Sequence, residues 1–287
     1  MRIKHRATHQ ILTLFSKWLC TLSEDERDHF AVRIARIGYH LLQIRKKDAL
    51  QNLSIAFPEK SIEERISILK RTYAFFSRSF LQFLAIKKSF RFVKINTIDH
   101  ELLNEGLEKG KGVILATAHF SKWEVMSTWL GNHDYPCIAV AQKQKNVGAD
   151  IFFRELRQET GMGMIYRKSA IKHMYRILAE NKILILASDQ DAKHRGVFVD
   201  FFGQKASTPK GVARFHQQSG ADILFISCYV EKNGSYTLHV QKVQPEETSV
   251  ESITQAFTSI LEEKVKAYPE QYFWFHRRWK TKPNTTL

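Results

Sequence analysis

A histidine and a glutamate stand five residues apart in the segment ATAHFSKWEV, which covers residues 116–125. A histidine whose ring is held by a carboxylate can act as a general base, because the carboxylate fixes the tautomer and stabilises the imidazolium that forms. A catalytic pair of His119 and Glu124 is therefore one interpretation of this segment. The other is structural, since Ser121 and Glu124 match the Ser-x-x-Glu capping box that starts many helices. The spacing alone leaves both interpretations open.

The same spacing occurs a second time, at His100 and Glu105. These two residues fall within one predicted helix, DHELLNEGLEK, where five residues at about 100° each put the side chains about 140° apart. They therefore cannot converge easily. His119 instead follows the apolar run GVILATA, a predicted strand, and lies in the turn before the next helix. This places it beyond the carboxyl end of a strand, where α/β sheets usually bind their ligands.

The groups that would accompany a covalent mechanism are missing from the sequence. There is no G-x-S-x-G nucleophile elbow, and none of the three cysteines (Cys20, Cys137 and Cys228) is close in sequence to His119. No HExxH segment or other cluster of metal ligands occurs, so we expect no metal. The sequence favours a base that activates a hydroxyl of a second substrate for direct transfer. The scattered, odd-numbered cysteines indicate ordinary thiols in a reducing compartment.

The elements that must position these residues change character near residue 96. The first 95 residues are predicted to be helical, with capping boxes that begin at Ser23 and Ser61 and a break at Pro58. Over residues 96–287, short apolar strands alternate with helices, which indicates a sheet buried on both faces. We therefore predict an α/β fold, with a central, mostly parallel or mixed sheet flanked by helices and a helical N-terminal layer. Residues 1–95 and 96–287 are predicted to form one continuous domain.

Two apolar stretches of the N-terminal layer allow two interpretations each. Apolar residues from Ile11 to Leu22 recur at helical spacing after three basic residues, so this helix either packs into the core or lies on an anionic membrane. No run of 18 apolar residues occurs, so no transmembrane helix is predicted. The aromatic residues between Tyr73 and Phe83 are typical of a core helix, but contact with acyl chains is the alternative.

The overall charge restricts the partners of the chain. Its 287 residues include 44 lysines and arginines against 29 acidic residues, which gives a net charge of +15. This excess attracts polyanions, namely nucleic acid, anionic lipid or a phosphorylated substrate. Helix-turn-helix, RRM and zinc signatures are absent from the sequence, so we predict no nucleic-acid partner. An anionic membrane surface and a phosphorylated substrate are the partners that this reasoning favours.

Four segments resemble one known family. HFSKWE matches the H-x4-[DE] motif of the glycerolipid acyltransferase superfamily. Three longer segments resemble the late (lauroyl/myristoyl) acyltransferases of lipid A biosynthesis: DALQNLSIAFPEKSIEER, ASDQDAKHRGVFVDFFGQKASTPKG and PEQYFWFHRRWKTKP. Each segment is moderately specific, but four in the same order across most of the chain make the resemblance strong.

The resemblance implies a mechanism and a set of site residues. His119 would deprotonate a hydroxyl of a lipid A precursor, Glu124 would hold the imidazole, and the oxygen would attack a fatty-acyl thioester. The thioester would be carried by acyl carrier protein, an acidic partner that suits a charge of +15, or by coenzyme A, and no bound cofactor is implied. Six residues would bind the phosphorylated glycolipid acceptor: Arg167, Asp189, Gln190, Asp191, Arg277 and Arg278. Three would contact the acyl chain: Phe198, Phe201 and Phe202.

Each of these assignments has a structural alternative. Arg167 would otherwise form a surface salt bridge, and the acidic stretch from Asp189 to Asp191 would only stiffen its loop. The three phenylalanines would belong to the core, and Arg277 and Arg278 to a solvated basic tail.

The chain departs from the family at two points. Asp200 stands where the family usually has proline, and an amphipathic stripe replaces the longer apolar N-terminal anchor of many members. We therefore expect peripheral or interfacial attachment at the cytoplasmic face of the bacterial inner membrane. The nearest alternative function is acyl transfer to another glycolipid or to a lysophospholipid. A more distant alternative is a non-catalytic membrane- or nucleic-acid-binding protein.

Overall fold

The computed structural model describes residues 2–86, 94–167 and 171–283 of the chain. Its N-terminal part is a layer of four helices: α1 (Ile3–Thr21), α2 (Glu24–His40), α3 (Lys46–Ala56) and α4 (Ile62–Leu84). The side chains of Ser23 and Ser61 each accept a hydrogen bond from the backbone N–H of the glutamate three residues later. The side chain of that glutamate accepts a hydrogen bond from the serine N–H in return. Both predicted capping boxes are therefore confirmed, and they define where α2 and α4 begin.

The rest of the chain is built around a seven-stranded sheet. Its strands are β1 (Ile95–Ile98), β2 (Val113–Thr117), β3 (Cys137–Ala141), β4 (Gly163–Tyr166), β5 (Ile183–Ala187), β8 (Asp222–Val230) and β9 (Tyr236–Lys242). They lie in the order β1-β9-β8-β2-β5-β3-β4, and every neighbouring pair is parallel except β8 and β9. The predicted mostly parallel sheet is confirmed. Strand β1 was not predicted, because its four residues, INTI, are too few for a clear apolar pattern.

Helices cover both faces of this sheet. They are α5 (Leu102–Glu108), α6 (Trp123–Asn132), α7 (Val147–Gln158), α8 (Ile171–Ala179), α9 (Gly211–Ser219) and α10 (Val250–Ala267), in addition to the N-terminal layer. Successive residues of β2 belong to different hydrophobic clusters, with Ile114 and Ala116 in one and Val113 and Leu115 in the other. Because side chains alternate across a strand, the two clusters lie on opposite faces of the sheet. This confirms the predicted α/β class.

The apolar stripe of helix α1 is divided between the core and the surface. Leu19 is fully buried and Leu12 packs against the core, whereas Ile11 and Leu14 are 64% and 66% exposed. The stripe is therefore wider than the core can cover, and part of it is left on the surface. Among the described residues, no helix combines the length and the hydropathy that crossing a bilayer requires.

Two further elements border the carboxyl edge of the sheet. Strands β6 (Val197–Phe201) and β7 (Gln204–Thr208) form a separate antiparallel hairpin, in which Asp200 donates its backbone N–H to the Gln255 side chain at 2.7 Å. A proline at this position would lack that donor. After α10, residues 269–281 form what we call the C-terminal segment, which begins with a short 3-10 helix (Pro269–Gln271). Tyr272 then forms an isolated antiparallel bridge with Phe120, directly beside His119.

Candidate active site

The carboxyl ends of two neighbouring parallel strands bring His119 and Asp189 together. Strands β2 and β5 pair with Thr117 opposite Ala187, and each strand is followed two residues later by one of these side chains. Nδ1 of His119 lies 2.7 Å from Oδ1 of Asp189. The Asp189 side chain is 1% exposed and the His119 side chain is 34% exposed. A buried carboxylate therefore supports an imidazole that still reaches solvent.

This pair changes the protonation of both members. Burial disfavours the charged form of His119, but the charge and hydrogen bond of Asp189 outweigh burial and raise the pKa of the imidazole. Burial would raise the pKa of Asp189, but the charge and hydrogen bond of His119 bring it down to about 2. Asp189 is thus ionised at neutral pH and accepts the Nδ1 proton. The lone pair of Nε2 then accepts a hydrogen bond from the side-chain nitrogen of Gln190 at 3.4 Å.

The structure corrects the predicted partner of the imidazole, because the carboxylate bonded to His119 is Asp189 and not Glu124. Oε1 of Glu124 accepts a hydrogen bond from the indole Nε1 of Trp123, at 2.8 Å. Glu124 lies in the first turn of α6, where the helix N-terminus favours a negative charge. Burial raises the pKa of Glu124, and the nearby charge of Arg157 opposes this effect. Glu124 is therefore a neighbour of His119 rather than its hydrogen-bond partner.

The alternative interpretation, a capping box at Ser121, is also wrong. Helix α6 begins at Trp123, its N-cap is Lys122, and that residue makes no side-chain capping bond. The Ser121 hydroxyl donates instead to Oε1 of Gln271, at 2.6 Å. Ser121 has a φ of 56°, a left-handed conformation that is uncommon for residues other than glycine. A partner 150 residues away in the chain has replaced the local cap.

Gln271 and its neighbours hold the turn that carries His119. The backbone N–H of Phe273 donates to the carbonyl of His119 at 3.0 Å, and that of Ser121 donates to the carbonyl of Gln271 at 2.6 Å. The Gln271 side chain also donates to the carbonyl of Val230 at 2.6 Å and accepts the Val230 N–H at 3.0 Å. It thus joins the turn after β2 to the end of β8. The family resemblance of this segment gave no sign of this role for Gln271, whose partners lie far from it in the sequence.

Asn52 holds the C-terminal segment from the other side. Its Nδ2 donates to the carbonyls of Trp274, at 2.8 Å, and His276, at 2.6 Å. Asn52 is 4% exposed and lies on α3, in the part of the sequence that resembles the N-L-x3-F-P segment. Two segments more than 200 residues apart in the chain therefore meet beneath the active site. Their pairing left no signal in the sequence that a local pattern could reveal.

Polar side chains of the C-terminal segment surround the buried face of Asp189. Nε2 of His276 donates to the Asp189 backbone carbonyl at 3.2 Å. Burial, and then the Asp189 charge, raise the pKa of the Tyr272 hydroxyl well above its ordinary value. Burial lowers the pKa of His276, whereas Asp189 raises it. Both side chains are therefore held as neutral groups around one buried carboxylate.

Arg278 belongs to this buried group, which corrects its predicted role as a phosphate contact. The residue is 1% exposed, and its guanidinium donates to the Ser207 carbonyl at 2.9 Å and to the Thr208 hydroxyl at 2.6 Å. Its carbon atom Cζ lies 5.2 Å from the centre of the Phe201 ring. An arginine with this burial and these partners joins the C-terminal segment to strand β7. It is not available to an acceptor in solution.

The other predicted acceptor residues have different surroundings. Asp191 accepts a hydrogen bond from the Thr281 hydroxyl at 3.0 Å, so it also fixes the C-terminal segment. Arg277 is exposed and pairs with Asp48 of α3, with Nε–Oδ distances of 3.0 and 3.1 Å. Arg167 is exposed after β4, which lies three strands from β2. Of the six predicted residues, the structure brings only Asp189 and Gln190 to the imidazole.

A cavity of about 410 Å³, which we call the first cavity, opens beside His119 and Glu124. Three of its aromatic side chains come from helix α4: Phe76, Phe80 and Phe83. Trp123, Phe153 and Phe273 add further ring surface, and Gln144 and Arg157 add polar groups. Contact of the α4 aromatics with a ligand, rather than burial in the core alone, was one of the two interpretations of that helix. Their place in the cavity wall favours it.

The three phenylalanines predicted to contact the acyl chain do not reach this cavity. Phe201 is fully buried and stacks on Trp279, and Phe202 packs against Phe57 and Trp274. Phe198 lies on the same hairpin, in β6. Among the described residues that line the first cavity, none of the three occurs. The hairpin packs against α10 and the C-terminal segment, which keeps these three side chains away from the first cavity and favours the core interpretation of Phe201 and Phe202.

Lys122 connects the helical layer to the turn of His119, a role that the sequence did not indicate. Its Nζ donates to Oε1 of Gln82 on α4 at 2.6 Å and lies 4.9 Å from the centre of the Phe75 ring. Burial lowers the pKa of this lysine to about 8. The turn after β2 is therefore held by α4 on one side and by the C-terminal segment on the other.

The arrangement presents Nε2 of His119, the ring nitrogen that does not contact Asp189, beside a largely apolar cavity. Such a base can take a proton from a hydroxyl bound in front of it. In the described part of the chain, no three His, Cys, Asp or Glu side chains are grouped as metal ligands would be. His119 and Asp189 can supply proton transfer, and the aromatic wall beside them can hold an apolar chain nearby.

Comparison with known proteins identifies a family. The family model described as bacterial lipid A biosynthesis acyltransferase matches residues 1–281. A phosphatidylinositol mannoside acyltransferase of Mycolicibacterium smegmatis is 26% identical over 190 residues, which are 65% of this chain and 62% of that protein. A lipid A biosynthesis lauroyltransferase of Escherichia coli K12 is 24% identical over 260 residues, which are 87% of this chain and 84% of that protein. The match to the mycobacterial protein thus spans less than two thirds of its length.

Proposed function

Because this chain belongs to the bacterial lipid A biosynthesis acyltransferase family, we propose that it transfers a fatty-acyl chain from an acyl thioester to a hydroxyl of a lipid A precursor. The observation that carries this proposal is the His119–Asp189 pair beside a cavity with aromatic walls. A related glycolipid is the second candidate for the acceptor. It is favoured by the similarity to a protein named as a phosphatidylinositol mannoside acyltransferase.

The proposed reaction begins at Nε2 of His119. This atom takes the proton of the acceptor hydroxyl while Asp189 stabilises the imidazolium that forms. The oxygen attacks the thioester carbonyl, and the resulting tetrahedral intermediate expels the thiolate. The imidazolium then returns its proton to the sulfur, so the products are an ester and a free thiol. No step forms a bond between the acyl group and the protein.

Glu124 has a different task in this proposal. It keeps the Trp123 indole in place through the 2.8 Å hydrogen bond, and both side chains form part of the first cavity. The acyl chain of the donor would lie along the α4 aromatics Phe76, Phe80 and Phe83. This assignment follows from the position of these rings within the cavity that contains the base.

The donor in this proposal is acyl carrier protein loaded with a fatty acid, and acyl coenzyme A is the alternative. The support is electrostatic, because a protein of net charge +15 attracts an acidic carrier. The exposed guanidinium groups of Arg167 and Arg277 are proposed to meet phosphates of the acceptor. Both lie outside the buried network that contains Arg278.

We further propose that the protein lies on the cytoplasmic face of the bacterial inner membrane without crossing it. Apolar side chains are exposed along α1 and after α2, with Ile3 at 88%, Leu14 at 66%, Leu41 at 76% and Leu42 at 65%. An amphipathic surface combined with positive charge gives two membrane signals, which together bind more firmly than either alone. The protein should therefore co-sediment with vesicles that contain anionic lipid and much less with neutral ones. Equal binding to both kinds of vesicle would contradict the electrostatic part of this proposal.

The reaction is tested by incubating the protein with radiolabelled acyl carrier protein thioesters and a lipid A precursor, a phosphatidylinositol mannoside or a lysophospholipid. We expect label on the lipid A precursor, lost in His119→Ala. A matched control is His100→Ala, because His100 has the same spacing to a glutamate but follows β1, which lies three strands from β2. Label on the phosphatidylinositol mannoside alone, or on the lysophospholipid alone, would identify that lipid as the acceptor instead. Transfer that survives in His119→Ala would overturn the mechanism.

A further inference from the structure

Lys122, the residue before helix α6, is a buried lysine. It is 6% exposed, and its backbone N–H donates to the carbonyl of Cys228 at 2.9 Å. Its Nζ donates to Oε1 of Gln82 at 2.6 Å and lies 4.9 Å from the centre of the Phe75 ring, and both of these residues belong to α4. The partners of this cation are thus a neutral amide and an aromatic face. Lysine is almost never buried unless a charged group pairs with it, so this position requires an explanation.

Lys122 joins two parts of the active site. His119 lies three residues before it, in the turn after β2. Gln82 lies on α4 between Phe80 and Phe83, which line the first cavity. The hydrogen bond between Lys122 and Gln82 therefore fixes the base relative to the aromatic wall beside it. A misplacement of about 1 Å in such an arrangement can reduce a rate by about a hundredfold.

The surroundings of Lys122 make its charge sensitive to pH. Burial lowers the pKa of its ammonium group to about 8, while Cys228 and Asp28 act in the opposite direction and Arg78 lowers the pKa further. Asp28 and Arg78 are paired with each other at 3.1 Å. Burial raises the pKa of Cys228 to about 12 and the pKa of Tyr236 above its ordinary value. Both of these groups therefore stay neutral at the pH where Lys122 loses its proton.

Loss of this proton weakens both contacts of Lys122 with α4. A hydrogen bond from a charged donor is roughly twice as strong as one from a neutral donor, and the attraction to the Phe75 ring requires a positive charge. We infer that Lys122 is a positioning residue, which holds the turn of His119 against α4 while it is protonated, and that its deprotonation ends the active range on the alkaline side. This inference rests on the proposed function and adds an upper pH limit to it.

The first test is the pH profile of kcat/KM for the wild type, Lys122→Met and Lys122→Arg. The wild-type value should rise as His119 loses its proton and fall again with a midpoint at about pH 8. Lys122→Met should be about tenfold less active at neutral pH and should lack the alkaline fall. Arginine stays charged in this range, so Lys122→Arg should retain more activity than Lys122→Met and also lack the fall. An alkaline fall that persists in Lys122→Met would overturn the inference.

Gln82→Glu moves the upper limit without removing the lysine. A carboxylate in place of the amide oxygen that accepts from Nζ favours the charged form of Lys122. The alkaline fall should therefore shift to higher pH by about one unit or more, whereas the rise that belongs to His119 should stay in place. Circular dichroism checks that each variant folds. An alkaline fall that does not move in Gln82→Glu would contradict the assignment to Lys122.

Lys264→Met is a matched control. Nζ of Lys264 lies 2.7 Å from Nδ1 of His239 and 5.0 Å from the centre of the Tyr229 ring, and burial lowers the pKa of this lysine too. It lies on α10 and is not among the described residues that line the first cavity. Lys264→Met should therefore keep both midpoints of the wild-type profile. Loss of the alkaline fall in this variant as well would show that the contact of Lys122 with α4 does not set the limit.

Stability measurements separate this limit from alkaline unfolding. The pKa of Lys122 is about 8 in the folded protein and 10.5 in the unfolded chain, so the unfolded chain binds more protons between these values. The contribution of Lys122 to the free energy of unfolding therefore increases with pH over this range. The wild type should gain stability relative to Lys122→Met, measured in urea, while its activity falls. A loss of relative stability over the same range would contradict the inference.

Hydrogen–deuterium exchange tests the positioning role without acyl transfer. At neutral pH, the amides of residues 117–126 should exchange about tenfold faster in Lys122→Met than in the wild type, because a contact that holds this turn is lost. Lys122→Arg should exchange more slowly than Lys122→Met. If the wild type transfers no acyl group but shows this difference, the proposed function fails and the positioning role of Lys122 stands. Equal exchange in all three proteins overturns the inference whether or not transfer occurs.

Discussion

The two sides of the His119 ring are built in opposite ways. Behind the ring, the structure places Asp189, Tyr272 and Arg278, which are buried polar groups close to one another. In front of it, the first cavity is bounded mainly by apolar side chains such as Phe76 and Phe273. A buried polar group that loses its partner costs the full penalty of its desolvation, whereas an apolar wall tolerates changes of shape. Substitutions behind the ring should therefore stop the reaction or weaken the fold, and those in front should change selectivity.

Asp189→Asn should have the largest effect on the reaction. An asparagine can hold Nδ1 in the wrong protonation state and no longer stabilises the imidazolium, so we expect kcat/KM to fall by about 10³-fold or more. The measurement is the initial rate of acyl transfer by a variant whose fold is checked by circular dichroism. Gln190→Ala is the control, because Gln190 is 3.4 Å from Nε2 and should cost less than tenfold. A loss below tenfold in Asp189→Asn would show that Asp189 does not support the base.

Arg278→Ala should have the largest effect on stability. The change removes the guanidinium hydrogen bonds to the Thr208 hydroxyl and to the Ser207 carbonyl, which keeps only the Ala192 N–H, and it removes a buried charge near Asp189. Removing one member of a buried charged group typically costs about 3–5 kcal/mol. We expect a decrease of this size in the free energy of unfolding, measured in urea. A decrease below about 1 kcal/mol would mean that Arg278 is not essential behind the ring.

The local signals in the sequence predicted the fold better than they predicted the site. Ser61 and Glu64 predicted where α4 begins, since both halves of that cap lie within three residues. The same signature at Ser121 and Glu124 forms no capping box. The Ser121 hydroxyl donates to Gln271 instead, and the Glu124 carboxylate accepts from Trp123. A capping signal is reliable only where no distant side chain competes for it.

The position of His119 after a strand was predictable, but its partner was not. Asp189 also follows an apolar strand, and the sequence placed it at the same rim of the sheet. That the two residues meet depends on β5 lying next to β2, although β3 and β4 come between them in the chain. Hydropathy shows that a strand is buried on both faces and does not show which strand is its neighbour. The His119–Asp189 pair therefore required the structure.

Glu124→Gln tests the front of the ring. Glutamine can still accept the hydrogen bond from Trp123 Nε1 and keeps the shape of the cavity, so only the charge is lost. We expect kcat/KM to fall by about tenfold, which corresponds to about 1.4 kcal/mol, and thus far less than in Asp189→Asn, because Glu124 does not contact the imidazole. Both variants are compared in the same transfer assay. If Glu124→Gln were the more damaging change, Glu124 and not Asp189 would be the carboxylate that the base needs during the reaction.

The pH dependence of kcat/KM tests both sides together. The base acts when neutral, and Asp189 raises the pKa of His119 above its ordinary value of 6.5. The value of kcat/KM should therefore rise with pH, and the midpoint of this rise should lie above pH 6.5. Asp189→Asn removes the charge that raises the pKa of His119, whereas the burial that lowers it remains. The rise of the residual activity should therefore shift to lower pH. An unchanged midpoint pH in Asp189→Asn would show that Asp189 does not control the protonation of His119.

Arg277→Ala should have the smallest effect, although its neighbour Arg278 has one of the largest. The Arg277 side chain is 53% exposed and pairs with Asp48, on the surface of α3. Ion pairs of this exposure contribute about 0–1 kcal/mol, so the free energy of unfolding should change by no more than that. If Arg277 meets a phosphate of the acceptor, the KM for a phosphorylated precursor should still rise several-fold and that for its dephosphorylated form should not. If the variant and the wild type have the same KM for each form, Arg277 does not contact a phosphate of the acceptor. Arg277 and Arg278 would then differ only in how deeply they are buried.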